Sequence, residues 1–175
     1  MSLRGGIGLP ELPIEDGREY RLGIMGGTFD PIHYGHLVTA EQARESLDLD
    51  AVLFMPAGSP AFKLDKPVTP AEDRYAMTVL ATAANPAFLA SRFEIDREGV
   101  TYTADTLRAL REFYPPQVKL YFITGADAII DIVTWHHADE IAELATFIAA
   151  TRPGFDIDTA RARIKESGLP FEVRY

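Results

Sequence analysis

Two histidines, His33 and His36, stand three residues apart just where a helix is expected to begin. They follow a glycine pair, Gly26 and Gly27, that ends a short apolar run. Side chains three apart on a helix or in its first turn point to the same side, so both imidazoles can donate N–H bonds to one anion. The glycines let a ligand approach the backbone, because a side chain there would hold it away. The spacing therefore predicts a phosphate site in which neither histidine needs to act as a base.

A strand and a helix must position this site. Residues 21–25 form a short apolar run bounded by glycines, which is typical of a buried strand in a parallel sheet. From about Tyr34 onward, apolar side chains recur at helical spacing. A strand, a glycine turn and a helix N-terminus bring unpaired backbone N–H groups and the positive end of a helix dipole to one place, and such a place attracts phosphate.

The rest of the chain alternates strands and helices. Strands are predicted at residues 51–55, around Phe93 and Ile95, and at 118–123, 147–150 and 171–175. Helices are predicted behind a capping box at residues 69–72 with Pro70 at the first helical position, behind a cap at Thr103, near residues 125–127, over residues 139–145, and from a cap at Asp158 to a stop at Gly168. This alternation predicts a single-domain α/β fold with a doubly wound parallel sheet.

Five loops follow the predicted strand ends, and the ligands of doubly wound sheets lie at the carboxyl ends of the strands. The loops contain residues 26–27, 56–63, 101–103, 125–127 and 151–152. We therefore expect them to meet in one crevice. Residues 1–19 are rich in glycine and proline and are expected to form a flexible extension before a domain at residues 20–175.

Composition limits the classes of function. The chain has 175 residues, no cysteine and a formal net charge of −9 at pH 7. The missing cysteines exclude disulfides, thiolate catalysis and cysteine-ligated metal centres. The negative charge disfavours nucleic acid as a partner, whereas a small phosphate ligand remains compatible with it. No apolar run approaches the roughly 20 residues that cross a bilayer, and no secretory signal is seen, so we expect a cytoplasmic protein without membrane contact. Association of several copies stays open.

The string GGTFDPIHYGH, from Gly26 to His36, resembles the GGxFDPxHxGH signature of the nucleotidyltransferase superfamily that contains nicotinate mononucleotide adenylyltransferase. The resemblance implies a Rossmann-like nucleotidyltransferase fold. It also implies that His33 and His36 bind ATP phosphates and stabilise the transition state. Backbone contacts to the nucleotide are implied for Gly26, Gly27, Thr28 and Phe29. Asp30 is expected to fix the turn, and Mg²⁺ to bridge the triphosphate.

Two basic residues extend the resemblance. Residues 56–63 are similar to the family's PxxxPxxK segment, which implies that Lys63 faces the phosphates, a role that Lys66 could share. The alternative is a solvated lysine on a mobile loop. The Arg-Pro-Gly at residues 152–154 is similar to one that follows the family's fifth strand and implies a nucleotide contact by Arg152. That arginine could instead pair with a surface carboxylate.

Two further segments resemble the part of the family that binds the pyridine nucleotide. Residues 99–107 are similar to GPSYTxDTL, with Val100 in place of proline, and this implies that Tyr102 and Thr103 contact the nicotinate carboxylate. An ordinary threonine cap is the alternative, and both can hold at once. The segment from Gly125 through Asp127 to Trp135 is similar to GxDxxxxxxxW.

This GxDxxxxxxxW resemblance implies that Gly125 and Asp127 bind the nucleotide, with Asp127 accepting hydrogen bonds from ribose hydroxyls, and that a pyridine ring stacks on Trp135. Taken alone, a tryptophan more often belongs to the core. His136 and His137 lack nearby ligand partners at metal spacing, so we interpret them as surface residues.

One family segment, ISSTxxR, is missing, and we expect that the sequence is truncated after Tyr175. The resemblance thus covers residues 20–175 and predicts adenylyl transfer from ATP to nicotinate mononucleotide. Two alternatives stay open. One is an adenylyltransferase for nicotinamide mononucleotide or pantetheine phosphate, and the other is a non-catalytic nucleotide-binding protein. A P-loop kinase and a dinucleotide oxidoreductase are disfavoured, because neither GxxxxGK[ST] nor a GxGxxG after a strand occurs.

Overall fold

The computed structural model describes residues 8–60, 67–151 and 154–174. Within these ranges the strands are β1 (Tyr20–Gly27), β2 (Ala51–Pro56), β3 (Ser59–Pro60), β4 (Phe88–Ala90), β5 (Val100–Thr101), β6 (Val118–Gly125), β7 (Thr146–Ala150) and β8 (Val173–Arg174). The helices are α1 (Tyr34–Ser46), α2 (Ala71–Thr82), α3 (Thr103–Phe113), α4 (Ala126–Ile129), α5 (Ala138–Leu144) and α6 (Ile157–Ser167), with a 3-10 turn at Ile132–Thr134. No helix in these ranges has the length and apolar character to cross a membrane.

Six strands form a parallel sheet in the order β4-β2-β1-β6-β7-β8, and β3 pairs with β5 beside it. The chain builds outward from β1 to β2 and β4, then crosses to β6 and continues to β7 and β8. The strand order therefore reverses between β1 and β6. The prediction of a doubly wound parallel sheet is confirmed, and ligands of such sheets lie at this reversal.

Alternation along the strands divides the core between the two faces of the sheet. All six residues of β2 are buried, as expected for a parallel strand covered on both sides. Leu53 packs in the core cluster of one face and Phe54 in that of the other. Successive strand side chains point to opposite faces, so a continuous apolar run supplies both layers of helices.

The strand predicted around Phe93 and Ile95 is wrong, because β4 lies earlier, at Phe88–Ala90. Residues 93–95 form a turn. The Phe93 backbone N–H donates to Ser91 Oγ at 3.1 Å, and the Asp96 N–H donates to the Arg92 carbonyl at 2.9 Å. The alternating apolar and polar residues therefore come from a turn that buries some side chains, not from a pleated strand.

The predicted capping box of α2 is also wrong. The N-cap is Pro70, one residue later than expected, and no side chain caps this end. Thr69 is instead held by its backbone N–H, which donates to Asp30 Oδ2 at 2.9 Å. The residue before α2 is therefore tied to the loop that follows β1.

Two other caps are displaced along the chain. Thr103 is the first residue of α3, and the N-cap is Tyr102 without a side-chain cap bond. Helix α6 is capped by Asp156 rather than by Asp158, because the Asp156 carboxylate accepts from the Thr159 N–H at 3.0 Å. The predicted helices exist, but they begin at residues other than those predicted.

The segment before β1 packs on the domain from residue 8 onward. Leu9 is buried in the core. The Tyr114 hydroxyl donates to the Pro10 carbonyl at 2.6 Å, and the Ser91 hydroxyl donates to the Gly8 carbonyl at 2.7 Å. Residues 1–7 lie outside the described residues, and the flexible extension expected at residues 1–19 stays a prediction.

Candidate functional site

Two adjoining cavities open at the carboxyl ends of β1 and β6, and both are lined by Gly26 and Thr124. The histidine cavity, of about 360 Å³, is lined among others by His33, His36, Gly125 and Thr151. The tryptophan cavity, of about 240 Å³, is lined among others by Gly27, Ala57, Glu94, Thr103 and Trp135. All five predicted loops contribute to one or the other. The expectation that they converge on one crevice is confirmed.

The two histidine rings stack on each other at the start of α1. Their centroids are 3.9 Å apart and their planes are inclined by 29°. The His33 backbone N–H donates to His36 Nδ1 at 3.2 Å. A nitrogen that accepts a hydrogen bond carries no proton, so we assign the proton of the neutral His36 ring to Nε2. His36 can therefore donate through Nε2 to an anion.

Burial keeps His36 neutral. Its ring is half-buried and meets the Phe29 ring edge-on, with 5.1 Å between centroids. Burial lowers the pKa of His36, and the neighbouring His33 lowers it further. His33 itself is exposed. Both imidazoles line the cavity rather than the protein interior, as the spacing predicted.

The loop after β1 is shaped by Phe29. Its φ of 50° lies in the left-handed region, which is uncommon for a residue with a side chain. Its side chain is only 2% exposed, and a Cβ added at Gly27 would lie 3.0 Å from the ring. Any contact of Phe29 with a ligand therefore has to come from its backbone. Asp30 ties this loop to the start of α2 through Thr69, as expected of a residue that fixes the turn.

Trp135 follows the 3-10 turn and lines the tryptophan cavity. The ring is half-buried and meets Phe122 and Phe147 edge-on, with centroid distances of 6.3 Å and 6.4 Å. The aromatic core thus holds the indole at the cavity wall. A ring fixed in this way suits stacking against a flat heterocycle.

The other residues predicted to contact the pyridine nucleotide do not all line the tryptophan cavity. Thr103 lines the tryptophan cavity, whereas Tyr102 does not and stacks on the exposed His136 ring, 4.5 Å between centroids. Gly125 lines the histidine cavity as the N-cap of α4. Asp127 is exposed in the first turn of that helix and lines neither cavity.

Lys63, Lys66 and Arg152 lie outside the described residues. Their predicted contacts with phosphate and nucleotide therefore stay predictions.

Sequence reasoning missed Glu94, which lines the tryptophan cavity and is only 7% exposed. The Thr106 hydroxyl donates to Glu94 Oε1 at 2.6 Å. Burial raises the pKa of Glu94 to about 7, although the Thr106 bond and the charge of Arg97 act in the opposite direction. Its signal in the sequence is an acidic residue between two apolar ones, a pattern that equally predicts the polar side of a strand.

The second missed residue is Arg74, of which 1% is exposed. It lies on α2 behind the loops that follow β1 and β2, and its guanidinium contacts backbone carbonyls of both loops. A lone arginine in an amphipathic helix gives no sequence signal for such a position, because its partners are main-chain atoms.

Comparisons with known proteins point to one family. A Cytidylyltransferase-like family model matches residues 24–169. A relative from Moorella thermoacetica, named a probable nicotinate-nucleotide adenylyltransferase, is 58% identical over 160 residues, which are 90% of this chain and 72% of that protein. A relative of the same name from Thermoanaerobacter sp. is 58% identical over 139 residues, which are 79% of this chain and 66% of that protein. The chain thus spans about two thirds of the length of the second relative.

The fold has a solved counterpart. The Plasmodium falciparum nicotinic acid mononucleotide adenylyltransferase, complexed with NaAD, matches with a TM-score of 0.71 and 22% identity. The match covers 89% of this chain and 73% of that one. At this identity the likeness establishes the fold alone.

Proposed function

The chain belongs to the cytidylyltransferase-like family, among the nicotinate-nucleotide adenylyltransferases, and from this premise we propose that it transfers an adenylyl group from ATP to nicotinate mononucleotide. The products are nicotinate adenine dinucleotide and pyrophosphate, and the reaction is a late step of NAD synthesis. One observation carries the proposal: two chemically different cavities share a wall at Gly26 and Thr124. Two ligands bound in them would meet at that wall.

The chemistry is a substitution at phosphorus. A phosphate oxygen of the mononucleotide attacks the α-phosphorus of ATP, a new P–O bond forms, and the bond to the leaving pyrophosphate breaks. The attacking oxygen already carries negative charge, so no enzyme nucleophile is needed. Catalysis then consists of positioning and charge stabilisation.

The histidine cavity supplies the donors for this step. His36 offers its Nε2 proton to the phosphate oxygens as charge builds on the leaving group, and the exposed His33 ring stacked on it offers a second donor. Backbone N–H groups of residues 26–29 approach the phosphates from the glycine turn. Lys63 and Arg152 complete the phosphate contacts in this proposal.

The divalent cation enters with ATP as Mg²⁺. Among the described residues, no group of three or more His, Cys, Asp or Glu side chains is placed to hold a metal ion. Mg²⁺ is commonly bound through substrate phosphates and water, and it neutralises charge on the triphosphate. We place the reaction in the cytoplasm, as expected from the sequence.

The tryptophan cavity takes the pyridine end of the mononucleotide. Trp135 stacks on the ring, and the N-terminus of α3 at Tyr102 and Thr103 receives the nicotinate carboxylate, because backbone N–H groups and the helix dipole favour an anion there. Asp127 accepts hydrogen bonds from ribose hydroxyls in this proposal, and Gly125 contacts the nucleotide from the histidine cavity. A carboxylate needs only donors whereas an amide also needs an acceptor, and this favours nicotinate over nicotinamide.

The test is a comparison of acceptors. The full chain is incubated with ATP, Mg²⁺ and either nicotinate mononucleotide, nicotinamide mononucleotide or pantetheine phosphate, and pyrophosphate release is measured together with product identity by chromatography. We expect nicotinate adenine dinucleotide as product and at least about a tenfold preference in kcat/KM for the acid, which corresponds to one lost charged contact. A preference for pantetheine phosphate would contradict the proposal. Binding of ATP without any dinucleotide would favour the non-catalytic alternative.

A further inference from the structure

Helix α2 buries one arginine beneath the cleft. Arg74 is 1% exposed, and its guanidinium donates four hydrogen bonds to backbone carbonyls. Nε donates to Thr69 at 2.8 Å, Nη1 to Thr28 at 2.8 Å and to Ala57 at 2.6 Å, and Nη2 to Gly58 at 3.1 Å. Burial lowers the pKa of Arg74 and the Asp30 carboxylate opposes this, but a guanidinium remains charged near neutral pH.

Three of these four carbonyls, those of Thr28, Ala57 and Gly58, belong to two loops that line the proposed substrate site. Thr28 lies in the β1–α1 loop and Ala57 in the β2–β3 loop, and both residues line the tryptophan cavity. The loops also touch directly, since the Ala57 N–H donates to the Gly27 carbonyl at 2.8 Å. One side chain therefore joins both loops from behind.

The geometry of the peptide unit gives these bonds a consequence for the N–H groups that follow the bonded carbonyls. In a planar trans peptide the carbonyl and the following N–H point in opposite directions. A Thr28 carbonyl turned toward Arg74 thus turns the Phe29 N–H away from it, and the Ala57 carbonyl does the same for the Gly58 N–H. Neither of these N–H groups donates to a protein group in the described part of the chain. Phe29 and Gly58 line neither cavity, so the cleft meets these two loops at Thr28 and Ala57.

We propose that Arg74 is a positioning residue for the substrates: it fixes the β1–α1 and β2–β3 loops with their carbonyls turned toward its own guanidinium, and its buried charge draws anions toward these loops. The inference rests on the proposed function in one respect, that the ligand of the cleft carries phosphate. Carbonyl oxygens, which would repel a phosphate, are held on the far side of both loops. The fork of five N–H donors makes this possible with one residue.

Two replacements of Arg74 separate the role of its positive charge from the role of its planar fork of donors. Lysine keeps the positive charge, but its three donors on one nitrogen cannot reach the set of carbonyls that the planar fork spans. Methionine keeps an unbranched stem and removes the charge. Thr78 supplies a matched control, because it is fully buried one turn further along α2 and donates only to the Arg74 carbonyl at 2.8 Å. Thr78→Val should perturb the helix without touching either loop.

The experiment measures binding of inorganic tripolyphosphate and steady-state kinetics for wild type, Arg74→Lys, Arg74→Met and Thr78→Val, each at the same interval below its own Tm. We expect tripolyphosphate binding to weaken about tenfold in Arg74→Lys, which releases both loops, and more in Arg74→Met, which also removes the charge, with Thr78→Val close to wild type. The KM for nicotinate mononucleotide should also rise in the Arg74 variants, because both loops line the tryptophan cavity.

Wild-type tripolyphosphate affinity in Arg74→Lys would overturn the inference, and so would an equal loss of affinity in Thr78→Val. If Arg74→Met does not fold, Arg74→Lys decides the outcome. The proposed function fails separately: a wild type that makes no dinucleotide, but whose tripolyphosphate binding depends on Arg74, would contradict the adenylyl transfer and support the positioning role.

Discussion

The two cavities of the cleft are built in different ways. The histidine cavity takes its paired imidazoles from one short segment, in which the His33 backbone N–H donates to the His36 ring three residues later. The tryptophan cavity gathers Glu94, Thr103 and Trp135, which are separated along the chain by whole elements. The first depends on local spacing, whereas the second depends on the completed sheet.

Both cavities nevertheless use burial to suppress charge. Burial lowers the pKa of His36, which keeps the ring neutral, and raises the pKa of Glu94 to about 7, which keeps the carboxyl protonated in part near neutral pH. A neutral Glu94 does not repel an anionic ligand. Substitutions in the two cavities should therefore weaken the binding of different ligands. The effect of burial that the cavities share should appear in how the free energy of unfolding depends on pH.

The largest effect is expected from removal of the histidine donor. His36→Ala should lower kcat by about 10², comparable to the loss of one transition-state donor, with little change in Tm because the ring is half-buried at the cavity wall. Val38→Ala, an exposed position on the same helix, is the control for α1. Steady-state assays and thermal unfolding check both variants, and unchanged turnover in His36→Ala would remove this residue from the mechanism.

A smaller effect, on the KM for nicotinate mononucleotide, is expected from a substitution in the tryptophan cavity. Trp135→Ala should raise the KM for nicotinate mononucleotide about tenfold and leave the KM for ATP nearly unchanged, because stacking on a flat ring contributes on the order of 1 kcal/mol. Trp135→Phe should recover part of the loss. If the KM for ATP rose equally in Trp135→Ala, the division of the cleft into two cavities would be wrong.

The smallest effect on turnover, and the clearest on stability, concerns Glu94. The pKa of Glu94 is about 7 in the folded protein, above its ordinary value of 4.5. Between pH 4.5 and 7 the folded protein therefore keeps a proton that the unfolded chain has lost. The contribution of Glu94 to the free energy of unfolding is fully present below pH 4.5 and is lost as the pH rises through 7. Glu94→Gln stays neutral, so it should gain about 3 kcal/mol relative to wild type between pH 4.5 and 8.

Denaturant unfolding across this pH range measures the difference. His36 contributes a slope of the opposite sign, because its lowered pKa costs stability as pH falls below 6.5. That contribution is common to both proteins and cancels in the comparison. A difference in unfolding free energy that does not change with pH would contradict the assigned environment of Glu94.

The contrast between the cavities also explains what could be predicted from the sequence. The glycine turn, the histidine pair and the order of strands and helices are local patterns, and the fold and the converging loops were predicted from them. Arg74 was not predicted, because it bonds carbonyls as far as 46 residues away and carbonyls have no sequence signature. The sequence prediction for Glu94 is wrong, because a turn that buries some of its side chains gives the same alternating pattern as a strand. Helix caps shifted by one or two residues, as expected where backbone geometry decides.

The most direct measurement of the divided cleft is a competition experiment with the full chain, using calorimetric titration with nicotinate mononucleotide, α,β-methylene ATP and nicotinate adenine dinucleotide. We expect the mononucleotide and the ATP analogue to bind together without displacing each other, and the dinucleotide to displace both, since it occupies both cavities. Mutual displacement of the mononucleotide and the ATP analogue would contradict a cleft in which two substrates meet at the wall formed by Gly26 and Thr124.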